Sequence, residues 1–205
     1  MREFDVDRLQ PHDEAPVVAA LARAFFDDPL FGFFVPNLVK QQKALIAFMR
    51  AGVKDAAPFG DCYVAHADGK VACAAIWLPP GTYPRGAVRD LKTYVRSFPT
   101  FAYCGPRMGR AFALLTAVDK AHHEVDQPHY YLAILGTDPA YQRSGAGSAA
   151  LAPVLARCDT EGLPAYLETQ KEENIAYYAR HRFEVVQKIA LENCPPIWTL
   201  LRKPS

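Results

Sequence analysis

The chain has 205 residues, of which 50% are hydrophobic, and its formal net charge at pH 7 is only +1. This composition is typical of a globular protein with one substantial core. It argues against disorder and against a general attraction to nucleic acid or to an anionic membrane. We therefore expect a single domain over residues 1–205, with neither nucleic acid nor a membrane as its partner.

The cysteines and the first residues bear on the compartment. Five cysteines are spread along the chain without CxxC spacing, which predicts neither a zinc site nor a disulfide framework. The first residues lack the apolar region of a signal peptide, and no apolar run approaches the roughly 18 residues that span a bilayer. We expect a cytoplasmic protein without a metal.

The first part of the chain predicts a weak strand, two helices and a hairpin. The strand lies around residues 4–9, and helical apolar spacing covers residues 13–27 and again 36–53. The aromatic residues 30–36 between the helices are expected to form a loop that fills the core or, alternatively, walls a substrate pocket. Asp68-Gly69 between two apolar runs is a strong hairpin signal.

A long connection, residues 82–128, separates the hairpin from the next strand. Proline and glycine breaks alternate in it with helical apolar spacing, and structureless loops of this length are uncommon. It is therefore predicted to be an insert of short helices. The run His122-His123-Glu124 at its end lacks metal-ligand spacing on one helical face, so a solvated helix end is expected.

The remaining residues alternate between strand and helix signals. Strands are predicted at residues 130–135, 163–169, 183–191 and 196–203, with one helix ending near Glu161 and a short one starting at Asn174. The complete order is β-α-α-β-β-(helical insert)-β-α-β-α-β-β. This order predicts an α/β domain with a mixed sheet.

A glycine-bearing loop between a predicted strand and helix is the strongest functional signal: Gln142-Arg143-Ser144-Gly145-Ala146-Gly147. Backbone N–H groups at such a helix start suit a phosphate or pyrophosphate. A P-loop would need Lys followed by Ser or Thr after the last glycine, and Ser148 stands there instead. A dinucleotide fingerprint fits the spacing, with Glu168 about 20 residues on, but too few βαβ units follow for an NAD domain.

The same stretch resembles the coenzyme A loop of the GNAT acyltransferases, whose pattern is Gln/Arg-x-x-Gly-x-Gly/Ala. Leu135-Gly136-Thr137-Asp138-Pro139, Asn174-Ile175-Ala176-Tyr177-Tyr178 and Phe183-Glu184-Val185 also resemble that family, at its usual separations. The likeness covers residues 129–186 and most resembles the puromycin N-acetyltransferase-like branch. Arg182 departs from it, since the family usually has glycine there; a positive φ would cost an arginine about 1 kcal/mol.

The resemblance implies a mixed, mostly antiparallel sheet flanked by helices, with the insert between the third and fourth strands. It also implies acetyl-CoA as cosubstrate and Tyr178 as proton donor to the leaving thiolate. Asn174 would line the same groove one helical turn earlier. The residues that would bind the coenzyme besides these two are Leu135, Gly136, Thr137, Gln142, Arg143, Ser144, Gly145, Ala146, Gly147 and Ser148.

The general base is less clearly marked, because residues 130–134 of the central strand carry no carboxylate. Glu168 on the adjacent predicted strand is the first candidate, although a structural hydrogen bond to backbone would equally explain it. Glu124, His129 and a chain of water molecules are the alternatives.

The expected function is N-acetyltransfer from acetyl-CoA to a primary amine of a small molecule, by direct transfer in a ternary complex. Acetylation of protein lysines or N-termini is one open alternative, and a non-catalytic CoA-binding regulatory module is another. A homodimer is an open alternative to a monomer.

Overall fold

The computed structural model describes residues 3–83 and 86–205, so residues 84–85 of the predicted insert lie outside the described residues. The strands are β1 (Asp5–Arg8), β2 (Cys62–Ala67), β3 (Lys70–Leu78), β4 (Tyr130–Thr137), β5 (Ala165–Thr169), β6 (Glu184–Ile189) and β7 (Ile197–Arg202). The helices are α1 (Glu14–Ala24), α2 (Pro29–Phe34), α3 (Leu38–Ala56), α4 (Ala87–Cys104), α5 (Met108–His123), α6 (Ala146–Glu161) and α7 (Glu173–Ala179).

The strands form one seven-stranded sheet in the order β1-β2-β3-β4-β5-β7-β6. Among the strands of the described residues, only β4 and β5 pair in parallel, and the other neighbours are antiparallel. The predicted mixed, mostly antiparallel sheet is confirmed, as is the helical insert between β3 and β4. The hairpin turn is confirmed too, since Asp68 and Gly69 have φ of 51° and 69°, as a tight turn between twisted strands requires.

Each face of the sheet buries its own apolar cluster. Helices α1 and α3 pack on one face around Leu21 and Met49, whereas α6 and α7 pack on the other around Leu151 and Tyr178. A third cluster lies under the insert and joins α2, α4 and α5 to the β6–β7 end. Among the described residues, no helix combines the length and the apolar character that crossing a membrane requires.

The loop predicted over the aromatic residues 30–36 was wrong, because most of it is helix α2. Asp28 caps this helix by accepting a hydrogen bond from the Leu30 amide at 2.9 Å, and Pro29 occupies the first helical position. A capping aspartate followed by proline is a helix-start signal. The aromatic side chains do fill the core, since Phe31 packs in the α1–α3 cluster and Phe34 in the insert cluster.

The insert turns an apolar stripe of α4 toward solvent. Val88, Leu91, Val95 and Phe98 have the helical spacing of a core face, yet they are 65–70% exposed. The side that packs on α3 is small or polar instead, and Thr100 Oγ1 donates to the Ala44 carbonyl at 3.2 Å. The apolar spacing therefore predicts helix α4 correctly. It would predict the wrong face of that helix to be the buried one.

Candidate active site

Strands β4 and β5 pair at one end only. Their parallel ladder has three residue pairs, the last of which joins Leu132 to Leu167. Beyond it β4 continues along β3 to Thr137, and β5 continues along β7 to Thr169. The two strands therefore part, and within the described residues no strand pairs with this edge of β4 at residues 133–137.

A β-bulge lies where the strands part. On the β3 side, Ile76 pairs with Ile134 and Trp77 pairs with Leu132, so Ala133 is an extra residue in β4. An extra residue shifts the alternation of side chains by one position. Leu132 and Ile134 consequently face opposite sides of the sheet, although in a regular strand they would face the same side.

The bulge decides where the predicted coenzyme residues of β4 point. Leu135 packs with the α6 cluster, and Thr137 Oγ1 lies 3.4 Å from where a Cβ of Gly147 would stand. Gly136 faces α1 instead, where a Cβ would lie 2.6 Å from Leu21 Cδ2. Glycine at 136 is thus needed for the close approach of α1.

The glycine loop leads directly into α6. Gly145 precedes the helix with φ of 99°, and Arg143 also has a positive φ, of 60°. The amides of residues 146–148 come before the first helical hydrogen bond, which joins Ala149 N to Gly145 O at 3.0 Å. These amides lie at the positive end of the α6 dipole, a suitable place for an anion.

Polar side chains fold the loop against the end of β4. Gln142 Nε2 donates to the Thr137 carbonyl at 3.5 Å, and Ser144 Oγ donates to the Tyr141 carbonyl. The structure therefore brings together the loop and the β4 residues that the sequence predicted to share one ligand.

Tyr177 packs against the first turn of α6. A Cβ at Gly147 would lie 2.5 Å from the Tyr177 hydroxyl, so a larger residue there would displace the Tyr177 ring. Burial raises the pKa of Tyr177 to about 12. Ser148 Oγ lies 3.0 Å from His181 Nε2, which ties α6 to the turn after α7.

Tyr178 projects from α7 into the α6 cluster. Its ring meets Tyr177 and Phe183 edge-on, with centroids 5.2 Å and 5.8 Å away. Burial raises the pKa of the Tyr178 hydroxyl, so it stays protonated at neutral pH. Asn174 Nδ2 donates to Thr169 Oγ1 at 3.0 Å, which links α7 to the end of β5 that no longer pairs with β4.

Glu168 occupies the first position of β5 beyond the pairing with β4. Its side chain is 8% exposed and points to the insert, with Oε1 3.9 Å from His122 Nδ1. Burial, followed by the charge of Glu168, raises the pKa of the neighbouring Tyr166 hydroxyl. The carboxylate thus lies on the face of the sheet opposite to Leu167 and Tyr178.

His122 contacts the candidate base Glu168, and sequence reasoning did not single it out as a site residue. It is only 2% exposed, so the solvated helix end predicted for residues 122–124 was wrong for His122, although His123 and Glu124 are exposed. The Tyr83 ring stacks on it at 3.7 Å, and its Nε2 lies 2.7 Å from His129 Nε2. The available signal was spacing, because Leu114, Val118 and His122 follow one another at intervals of four on one face of α5.

The other two base candidates differ in exposure. Glu124 is exposed just past the end of α5. His129 is half-buried and lines, with Tyr83, His122 and Tyr131, a cavity of about 350 Å³. Over residues 3–83 and 86–205, no three His, Cys, Asp or Glu side chains form a group that could hold a metal ion.

The fold and the glycine loop together define an acetyltransferase of the GNAT class. Residues 53–183 match the acetyltransferase (GNAT) family, and the chain belongs to it. As a member it is an acetyl-CoA-dependent N-acetyltransferase, and the resemblance found in the sequence is confirmed at this level. Its likeness to the puromycin branch stays a prediction.

A relative of the whole chain is an uncharacterized N-acetyltransferase of Schizosaccharomyces pombe. It is 26% identical over 210 residues, which cover 97% of this chain and 83% of the relative.

Solved structures share the fold at low sequence identity. A Corynebacterium glutamicum protein described as histone acetyltransferase HPA2 and related acetyltransferase aligns with a TM-score of 0.69 and 20% identity, covering 98% of this chain and 97% of that one. The polyamine N-acetyltransferase of Drosophila melanogaster aligns with a TM-score of 0.64 and 14% identity, and the alignment covers 98% of this chain and 100% of that one. The arylalkylamine N-acetyltransferase 2 of Aedes aegypti aligns with a TM-score of 0.64 and 12% identity, and the alignment covers 100% of each chain.

Proposed function

We propose that the protein transfers an acetyl group from acetyl-CoA directly to a primary amine of a small molecule while both substrates are bound. One observation carries this proposal: Tyr178 and Glu168 flank the parted strands from opposite faces of the sheet. Leu167 packs with Tyr178 in the α6 cluster, whereas Glu168, the next residue, points to α5. One face can therefore take the donor and the other the acceptor.

The α6 face suits acetyl-CoA. The amides of residues 146–148 can bind the pyrophosphate, and the exposed Arg143 can add a charged contact. The parted edge of β4 offers N–H and C=O groups to the pantetheine amides in the manner of an added strand. Acetyl-CoA supplies an acetyl group activated as a thioester, and an amide of this edge can stabilise negative charge on its carbonyl oxygen.

Two side chains would move protons during the transfer. Glu168 can draw a proton from the acceptor ammonium, because only the free amine attacks the thioester. The bond from nitrogen to the acetyl carbon then forms as the carbon–sulfur bond breaks, and the nitrogen loses its second proton, which can restore the hydroxyl of the proton donor. Tyr178, whose raised pKa keeps it protonated, can give its proton to the departing sulfur.

A small acceptor is favoured because the insert covers the Glu168 side. Helix α5 places a histidine against the carboxylate, and the carboxylate is 8% exposed, whereas a peptide acceptor would want an open groove. The Drosophila neighbour is described as forming N-acetylagmatine, and the Aedes neighbour as acting on arylalkylamines. Both descriptions support a small amine for this chain as well.

The test is thiol release from acetyl-CoA in the presence of polyamines, agmatine, arylalkylamines and lysine-containing peptides. We expect turnover with at least one small amine and a singly acetylated product by mass spectrometry. Turnover with peptides alone would favour the protein acetyltransferase alternative. Acetyl-CoA binding without turnover on any acceptor would favour a regulatory module.

The remaining sequence-based expectations concern the protein as a whole. The choice between a monomer and a homodimer stays open, and sedimentation velocity decides it. The cytoplasmic location is likewise a prediction, and fractionation of cells that express the protein tests it.

A further inference from the structure

Two histidines extend in a line from Glu168, on the face of the sheet that is proposed to take the acceptor. His122 Nδ1 lies 3.9 Å from Glu168 Oε1, and His122 Nε2 lies 2.7 Å from His129 Nε2. His129 Nδ1 in turn lies 2.8 Å from the Gln127 carbonyl oxygen. These contacts form one line from the parted strands to the cavity of about 350 Å³ that both histidines border.

The contacts fix the tautomers of both rings. A carbonyl oxygen only accepts hydrogen bonds, so His129 Nδ1 carries a proton and donates it to Gln127. Neutral His129 then has its lone pair on Nε2, and His122 Nε2–H must donate to it. In neutral His122 the lone pair therefore lies on Nδ1, the nitrogen that faces Glu168.

Burial lowers the pKa of His129, which keeps this ring neutral and able to accept the hydrogen bond. The arrangement resembles the way a hydrogen-bond partner fixes the tautomer of a catalytic histidine in other enzymes. Here the partner is a second histidine held by a backbone carbonyl. His129 thus determines which nitrogen of neutral His122 carries the proton.

We propose that His122 accepts the proton that Glu168 takes from the acceptor ammonium, with His129 as the positioning residue that keeps the lone pair on His122 Nδ1. This inference rests on the proposed function. It further implies an acceptor that arrives as a cationic amine.

Two protons leave the acceptor nitrogen during the reaction. The ammonium N–H bond breaks as the proton moves to Glu168, and Glu168 passes it to His122 Nδ1, giving an imidazolium beside a carboxylate. The free amine then attacks the thioester carbon, the carbon–sulfur bond breaks, and the thiol leaves with the Tyr178 proton. The second proton of the attacking nitrogen, released as the amide forms, restores the Tyr178 hydroxyl. Water in the cavity finally removes the proton from His122, since the ring borders that cavity.

The surroundings of His122 suit both charge states. Its ring packs against Tyr83 at 3.7 Å, Tyr166 at 4.4 Å and Tyr131 at 4.4 Å, and such rings tolerate a neighbouring cation. Several titratable groups on neighbouring elements face His122. In the described part of the chain they are Tyr83, His129, Tyr131, Tyr166 and Glu168. Asp119 and His123 are the titratable neighbours on its own helix.

The experiment compares His122→Asn with His123→Asn, because His123 is adjacent and exposed at the end of the same helix. With an amine that the wild type acetylates, we expect kcat/KM at pH 7 to fall about 100-fold in His122→Asn and to change little in His123→Asn. For the wild type, kcat/KM should rise with pH in the acid range and then become constant. In His122→Asn it should keep rising toward the pKa of the amine, because the acceptor must then arrive deprotonated.

Two further measurements separate chemistry from folding. His122→Ala should regain activity with added imidazole, and its affinity for acetyl-CoA should match the wild type. His129→Gln, whose amide oxygen can accept the His122 N–H, should retain more activity than His129→Leu. A wild-type pH profile in His122→Asn, or failure of imidazole rescue in a folded His122→Ala, would overturn the proposal. Absence of turnover in the wild type with every amine would instead contradict the proposed function.

Discussion

Tyr178 is the residue whose surroundings most clearly match a chemical role. It is buried beside α6 at the parted strands, and burial raises its pKa, so its proton is held until well above neutral pH. The same burial would suit a core aromatic, and the hydroxyl group therefore has to be tested separately from the ring.

We expect Tyr178→Phe to lower kcat about 100-fold, since removing a general acid typically costs that much or more. The affinity for acetyl-CoA should stay nearly unchanged, because the ring and its packing remain. Tyr177→Phe is the matched control and should retain turnover. Steady-state kinetics with varied acetyl-CoA give both quantities, and equal losses in kcat and affinity would make Tyr178 a structural residue.

Arg143 tests the anion site at the glycine loop. Its φ of 60° is tolerated by Asn and Asp, so Arg143→Asn and Arg143→Asp should both fold. We expect the dissociation constant for acetyl-CoA to rise modestly in the Asn variant and at least about 10-fold more in the Asp variant, through repulsion of the phosphates. Equal affinities of the two variants in calorimetry would place the pyrophosphate elsewhere.

Arg182 lies in the left-handed region, with φ of 67°, at the position where the resemblance to the GNAT family implied glycine. Replacement by glycine should stabilise the protein by about 0.5–1 kcal/mol, which raises the melting temperature by roughly 2–3 °C. Arg180→Gly is the control, because Arg180 has helical φ and should lose stability instead. A lower melting temperature for Arg182→Gly would contradict this account.

At the scale of elements, α4 shows that apolar residues at helical spacing need not be buried. Leu91 is 65% exposed on its apolar stripe, whereas Phe101 is buried and stacks on Phe112 at 4.7 Å. Leu91→Gln should change the free energy of unfolding by less than about 0.5 kcal/mol. Phe101→Ala should cost about 3–5 kcal/mol. Denaturant melts of the two variants would contradict this reading of α4 if the costs were similar or reversed.

The elements that sequence predicted well were those set by local signals. The Asp68-Gly69 turn and the glycine loop before α6 depend on residues close in the chain. Helix α2 was missed because its density of aromatics outweighed the Asp28-Pro29 start signal. The burial of His122 had only the spacing on α5 as its signal, and its contact with Glu168 could not be predicted. Nor could the bulge at Ala133, because both features depend on contacts between elements that are distant in sequence.

At the scale of the whole molecule, Arg202 ties the end of the chain to two other elements. It is 4% exposed, its Nη2 donates to Asp159 Oδ2 at 2.7 Å, and its Nε donates to the His181 carbonyl at 3.1 Å. The hydrogen bond from Arg202 holds the pKa of Asp159 well below its usual range. This pair therefore stabilises the fold above the unfolded pKa of about 3.9, and the contribution is lost as pH falls further.

Asp159→Asn should lower the melting temperature at pH 7 by several degrees, because it leaves a buried guanidinium without its carboxylate. The melting temperature should also fall less steeply with acid below about pH 4 than in the wild type. Asp27→Asn, at an exposed position, is the control and should keep the wild-type slope. An unchanged acid slope in Asp159→Asn would show that other carboxylates dominate acid unfolding.

The parting of β4 and β5 also has a thermodynamic consequence. The sheet consists of two blocks, β1-β2-β3-β4 and β5-β7-β6, which share only three residue pairs along their common border. A donor that pairs with the edge of β4 would complete this border, so its binding free energy would add to the cohesion of the native state. The melting temperature should then rise with the concentration of acetyl-CoA, and amide exchange at the parted ends of both strands should slow.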